Sequence, residues 1–385
     1  MSKKNHRSDW DPDSVEVQMD QRNAYDEMRE RCPIAYSETR GWSVFRHADV
    51  MRILHAPDVF SNVVSEHVAV PNGMDAPEHT KYRRIVERYF TDEYMIKFEP
   101  RCRAVVVELL KIALDKRELD WIADMAEPLA VNCQCAFLGW SSKVRGQLLR
   151  WVDRSREANC SKNRDAITSV ANEFQGFIDA QIEVCAQAEV SGSEDIVADL
   201  VQQEVDGRPL NNREIGSILR NWTVGEIGTI AASVGIIAHY LAAYPMVQEQ
   251  CRHHPTDLTV VADEILRIDG PLISNRRVTT CPVTMGIHEI GANERISINW
   301  IAANRDGRSV DQPESFRLDR DPKQNLLYGS GIHECPGAPL ARLELRIFLE
   351  ELLARTKQIE LIESKPGIRA TAPASGFKFL PLRVK

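Results

Sequence analysis

The chain has 385 residues, 43% hydrophobic and 27% charged, an ordinary balance for a globular protein that excludes a wholly disordered chain, a collagen-like repeat and a multi-span membrane protein. A formal net charge of -8 argues against a surface built for nucleic acid. The first 30 residues stay charged and hold no apolar run for a signal or an anchor, so a cytoplasmic protein that engages no membrane is expected.

Taken in chain order, Gly41-Trp-Ser-Val-Phe45 reads as a strand before a helix starting near Ala48. Helical periodicity runs from Arg101 to Leu114, from Val144 to Arg156 and from Ala166 to Ala186, and Ala186 to Glu194 reads as a surface loop. Asn211-x-x-Glu214 has the form of a capping box, and Pro245 marks the far end of the helix it starts. About 30 residues at 1.5 Å each predict a rod of roughly 45 Å. No Asp, Glu, Lys or Arg occurs from Ile227 to Gln248. Ser233, His239, Tyr240 and Pro245 interrupt that run, so it reads as the buried central helix of a helical domain rather than a membrane span. Gly225 and Gly228 each cost about 1 kcal/mol relative to Ala in a helix interior, so something flat or closely packed is expected against them. Val283 to Ile298 reads as paired strands with turns at Gly286 and at Gly291 to Asn293. A last long helix follows Pro339. The chain is therefore expected to be mainly α, with a small β-rich portion at about residues 30–65 and 272–300.

Nine cysteines, an odd number in a long chain without a secretion signal, do not suggest a disulfide framework. Cys133-x-Cys135 lacks companion ligands at matching spacing and reads as helix core. Cys335 stands apart, in Tyr328-Gly-Ser-Gly-Ile-His-Glu-Cys-Pro-Gly-Ala-Pro-Leu-Ala-Arg-Leu-Glu344. Glycines at 329, 331 and 337 free the backbone to approach a bulky planar group. A cysteine just before a helix start feels the N-terminal dipole, which favours the metal-ligating thiolate.

This segment resembles the heme-binding signature of the cytochrome P450 family, Phe-x-x-Gly-x-His/Arg-x-Cys-x-Gly, with Tyr328 in the place of Phe. The resemblance implies a single P450 heme domain spanning 1–385, heme b as cofactor, Cys335 as the iron ligand, and His333 and Gly337 in the cofactor-binding loop. Asp75-Ala-Pro-Glu-His-Thr-Lys-Tyr-Arg-Arg84 is similar to the family's Asp-x-Pro-x-His-x-x-x-Arg segment. It implies that His79 and Arg83, on one helix face at i, i+4, hold a heme propionate. Glu264-x-x-Arg267 resembles the family's structural Glu-x-x-Arg pair. Its usual third partner, the Arg of Pro-x-Arg-Phe, is Ser315 here (Pro313-Glu-Ser-Phe316), with Arg317 as a substitute. The propionate-binding Arg of the following strand falls on Arg277, with Arg276 as the near miss.

In the family's central helix an acid and a threonine relay protons. Thr229 fits the threonine, but Gly228 stands where the acid belongs, so Glu226, three residues earlier, is expected to share the role. The reaction implied is monooxygenation: O2, two electrons and two protons deliver one oxygen atom to substrate and one to water, giving hydroxylation or O/N-dealkylation. Electrons are expected from a separate ferredoxin or flavodoxin with its NAD(P)H reductase, docking near Arg84, Arg88, Arg342 and Arg346. The pocket is expected to draw on residues 61–73, Ile227, Thr229, residues 272–274 and residues 374–377. These are mostly small or apolar and suit a compact, largely apolar substrate. The run Asn221-Trp-Thr-Val-Gly-Glu-Ile-Gly-Thr229 resembles a bacterial subgroup acting on small aromatic ethers and thiocarbamates, which implies aromatic O-dealkylation as a lead. The competing readings are a peroxygenase, a heme-thiolate dehydratase or isomerase, and a heme-based sensor.

Overall fold

The longest apolar stretch folds as one helix of 32 residues, Asn212–Ala243. Its start is fixed by the reciprocal cap: the Glu214 amide donates to Asn211 Oδ1 at 3.0 Å, and the Asn211 amide donates to Glu214 Oε2 at 2.8 Å. By length and composition this helix could cross a membrane. Instead its apolar residues from Ile230 to Leu241 lie almost wholly inside the protein. It packs directly against Glu127–Leu138, Leu258–Ile268 and Ala338–Arg355, and Asp92–Leu114 packs against the first and last of these. The four helices 92–114, 127–138, 212–243 and 338–355 thus enclose one core.

The computed structural model describes residues 8–65, 69–116, 118–161, 163–187, 196–253, 257–372 and 374–385. The other helices expected from periodicity are present as Arg145–Ser161 and Arg164–Gln187. The loop expected at Ala186 to Glu194 falls largely outside the described residues.

The two strand-rich stretches meet in one five-stranded sheet. Its order is Ile34–Ser37, Gly41–Val44, Arg295–Asn299, Ser274–Thr279 and Phe60–Ser61. Ile296 pairs with Trp42 in parallel, and Ile296 with Arg277 in antiparallel register. The paired strands expected over Val283 to Ile298, with their two turns, are present as three strands. Val283–Met285 pairs with His288–Ile290 across Gly286, and the chain then reverses at Gly291 to Asn293, so that 295–299 joins the larger sheet. In the strand 274–279 the burial alternates, which turns Arg277 inward and leaves Arg276 outward.

Candidate active site

The cysteine loop is held by its own backbone. The Cys335 amide donates to the Tyr328 carbonyl at 2.8 Å, and the Glu334 amide to the Gly331 carbonyl at 3.0 Å. Gly329 and Gly331 have φ of +75° and +77°, conformations that disfavour side chains. At Gly331 a Cβ would also lie 2.6 Å from the Leu54 carbonyl oxygen. Gly337 has an ordinary φ of -80° and opens the helix Ala338–Arg355, with Pro339 in its first turn. Tyr328 lies under the Arg342 guanidinium, 4.6 Å from the ring centre, and its hydroxyl points to Asp263. The Cys335 side chain is accessible to solvent yet crowded by protein atoms. Burial pushes its thiol up, the amides of Gly337 and Ala338 and the charge of Arg83 pull it down, and Glu226 opposes them.

Four nitrogen-bearing side chains gather beside this loop. Helix Glu78–Glu87 presents His79 and Arg83 on one face. The His79 and His333 rings stand 4.2 Å apart. Arg83 donates from Nη1 to the Glu334 carbonyl at 2.6 Å and from Nε to Glu87 at 2.7 Å. Two ring nitrogens of the cluster are left unpaired. His79 Nδ1 and His333 Nε2 are buried without a hydrogen-bond partner. Burial and the nearby charges of Arg277 and Arg83, together with His79, push His333 down to about 3. Burial, then Arg83, likewise holds His79 below its ordinary value. Arg277 is 5% exposed and donates to the Arg276 carbonyl. Burial pushes its guanidinium down to about 10, against the attraction of Asp75.

Glu264 and Arg267 form a different assembly, buried and fully bonded. Two hydrogen bonds of 2.8 and 2.9 Å join them, and Arg267 also donates to the carbonyls of Asn304 and Pro313. The third partner is Arg320, whose Nε reaches Glu264 Oε1 at 2.9 Å. Arg317 contributes its main-chain amide to the same oxygen, while its side chain turns to Asp311 and Asp319. The substitution expected at Arg317 is therefore made three residues later. A lone arginine past the motif offers no sequence signal by itself.

On the central helix, Gly225 and Gly228 are exposed, and a Cβ at either would meet nothing within 4 Å. Thr229 shares their face, and its hydroxyl donates to the Gly225 carbonyl at 2.5 Å. Glu226, expected to share the relay with Thr229, meets the threonine hydroxyl only through its main-chain carbonyl, at 3.5 Å. The Glu226 carboxyl turns into the core, where it meets the carboxyl of Glu344, a residue the sequence did not single out. Ile227, expected to line the pocket, is buried at 2% exposure on the core side. Other expected pocket segments do converge. Val70 is clamped to the central helix by Ser217 and Asn221, Leu272 pairs with Ala374, and a Cβ on Gly376 would touch Ala232. Residues 66–68 and 373 lie outside the described residues.

Known proteins decide the family. Residues 257–366 match the cytochrome P450 family model. The chain is 31% identical to Cytochrome P450 109 of Bacillus spizizenii over 94% of its own length and 91% of the relative's. It is 30% identical to the cyclomarin C epoxidase of Salinispora arenicola over 87% and 88%. The chain belongs to the cytochrome P450 family. The open structure of the P450 EryK of S. erythraea superposes with a TM-score of 0.86 at 27% identity, covering 95% of this chain and 97% of that one. Membership makes this P450 a heme-thiolate monooxygenase that uses heme b, O2, an organic substrate and electrons from redox partners. The residues present fit such a group. Heme b is flat and carries two carboxylates and an iron. The cluster has buried nitrogens without hydrogen-bond partners, the central helix has an open glycine face, and one cysteine sits at a helix start.

Proposed function

We propose that this P450 hydroxylates or dealkylates a small, largely apolar substrate, with Cys335 as the iron ligand and His79, Arg83, Arg277 and His333 holding the heme carboxylates. The observation that carries this reading is the unpaired cluster beside the cysteine loop: two buried histidine nitrogens without hydrogen-bond partners and a buried guanidinium near them. Two carboxylates would satisfy these groups, and a bound iron would deprotonate the Cys335 thiol, offsetting the effect of burial. The Gly337 and Ala338 amides would then stabilise the sulfur's negative charge.

When bound, heme supplies the activation of O2 and the transfer of one oxygen atom to a C–H bond. The chain's own part is to bind, orient and deliver protons. Gly225 and Gly228 leave room for a flat ligand edge. Thr229 is the hydroxyl available on that face, and its present acceptor is the Gly225 carbonyl, so proton delivery requires it to exchange that bond for one to water or substrate. The Glu226 carboxyl faces Glu344, so its share in the relay with Thr229 would run through water. A ferredoxin or flavodoxin with its reductase is the expected electron source. Arg342 and Arg346 are spent on Asp263 and on Glu99 and Glu350, which leaves Arg84 and Arg88 as the better docking candidates of the four. Arg88 already contacts Gln203.

The test is a titration of the ferric protein with methoxybenzoates, guaiacol, fatty acids and terpenes, followed by the heme absorption. A low-spin to high-spin shift with methoxylated aromatics supports the dealkylation lead. A shift with fatty acids or terpenes alone moves the substrate to aliphatic compounds. A heme band that persists unchanged in Cys335→Ala overturns the ligand assignment.

A further inference from the structure

The helix core beneath the glycine face contains a second constellation that heme chemistry does not use. Cys102 on helix 92–114, Cys133 on helix 127–138 and Glu344 on helix 338–355 place one ligand atom each within 4.8 Å of one another. Glu226 of the central helix meets Glu344 from the fourth side. Three of the four core helices thus bring one metal-ligating side chain each to a single point, the arrangement by which helical bundles build metal sites, and the fourth places Glu226 against Glu344.

Two independent observations point to a cation there. Both oxygens of Glu344, which is 0% exposed, and Oε1 of Glu226 are buried without a hydrogen-bond donor. A carboxyl with no donor and another acceptor against it is costly unless a proton or a cation lies between them. The second is the sulfur separation. Cys102 Sγ and Cys133 Sγ stand 3.9 Å apart, against about 3.8 Å for two sulfurs each about 2.3 Å from one tetrahedral zinc.

We propose that Cys102, Cys133 and Glu344 bind one divalent cation of the zinc class, and that the Glu226 carboxylate turns onto the ion to complete a four-coordinate structural site. Two metal–sulfur and two metal–oxygen bonds form, the thiol and carboxyl protons leave to solvent, and no oxidation state changes. Thiolates select zinc over magnesium or calcium, and four protein ligands leave no open position for catalysis. The site ties together the two walls that matter. Glu344 lies nine residues after Cys335 on the helix that follows the cysteine loop, and Glu226 lies three before Thr229. The proposal goes beyond the monooxygenase reading and does not depend on the heme ligand being Cys335.

The experiment is elemental analysis and zinc-edge X-ray absorption on the full-length heme-loaded protein, expressed with added zinc and dialysed against a chelator. Burial implies loading during folding, so zinc is offered from the start. The expected result is about one zinc per chain, with two sulfur neighbours at about 2.3 Å and two oxygen neighbours at about 2.0 Å. Cys133→Ala and Glu344→Gln should each lose the zinc while iron content is retained. If a variant fails to accumulate, the wild-type zinc content and absorption edge decide alone. Zinc absent from the wild-type protein overturns the proposal, as does zinc bound without sulfur neighbours. A Cys102–Cys133 disulfide, read as a loss of two hydrogens in the mass, also overturns it. Iron content and the thiolate-heme spectrum of the same sample report separately on the heme reading.

Discussion

The Glu264–Arg267 network and the His79–His333–Arg277 cluster are both buried polar assemblies that include an arginine, but they are finished to different degrees. Glu264 receives hydrogen bonds from Arg267, Arg320 and the Arg317 amide, and Arg267 spends its remaining donors on two carbonyls. The cluster beside the cysteine loop leaves two histidine nitrogens without partners, and its cations are only partly offset, by Glu87 and Asp75. A closed network lowers the energy of the fold. An open one costs energy in the fold and recovers it on a ligand of opposite charge. The difference separates what builds this P450 from what loads it.

The sharpest break in that comparison is at Cys335. Cys335→Ala is expected to abolish turnover and the thiolate signature of the carbon-monoxide-bound heme, while the protein melts within a few degrees of wild type. The side chain makes no hydrogen bond to another side chain that the fold would miss. A variant that unfolds would show that the loop is structural.

Next comes Arg267→Ala. It leaves Glu264 Oε2 buried without a donor while Arg320 and the Arg317 amide stay on Oε1, and is expected to cost about 1–3 kcal/mol, measured by denaturant unfolding. Arg277→Met should behave in the opposite way. Its guanidinium is held at about 10 by burial, so keeping it charged at neutral pH costs the heme-free fold energy. The heme-free variant is expected to be as stable as wild type or more so, and the affinity for heme to fall at least tenfold, about the value of one hydrogen bond to a charged group. Equal stability losses in Arg267→Ala and Arg277→Met would erase the distinction between the two assemblies.

Much of this contrast is legible in the sequence, because its parts are local. His79 and Arg83 are four residues apart on one helix, Glu264 and Arg267 three apart on another, and the cysteine loop is contiguous. Strand alternation separates Arg277 from Arg276. What is hidden depends on packing between distant elements. Arg320 replaces the expected third partner because the loop after Phe316 folds back over Glu264. Spacing puts Glu226 near Thr229, but the rotamer that buries its carboxyl against Glu344 is chosen by the neighbouring helix. Cys133 looks like plain core until helix packing brings Cys102, 31 positions away, to within 3.9 Å.

The smallest effect tests whether burial alone, without a network or a ligand, leaves a signature. His239 sits on the central helix with its ring 4.6 Å from that of Phe377. Burial pushes it down to about 4, Arg369 and Arg22 add to that, and Asp269 opposes. The unfolded chain takes up this proton as pH falls through about 6.5, and the folded chain only near 4. His239 therefore has no effect on the pH dependence above about 6.5 and lowers stability progressively between about 6.5 and 4, by about 1–3 kcal/mol in all. His239→Gln should flatten that part of the melting-temperature profile and leave the region above pH 7 parallel to wild type. Parallel profiles throughout would mean that His239 titrates alike in the folded and unfolded chains, with Asp269 balancing burial at this position.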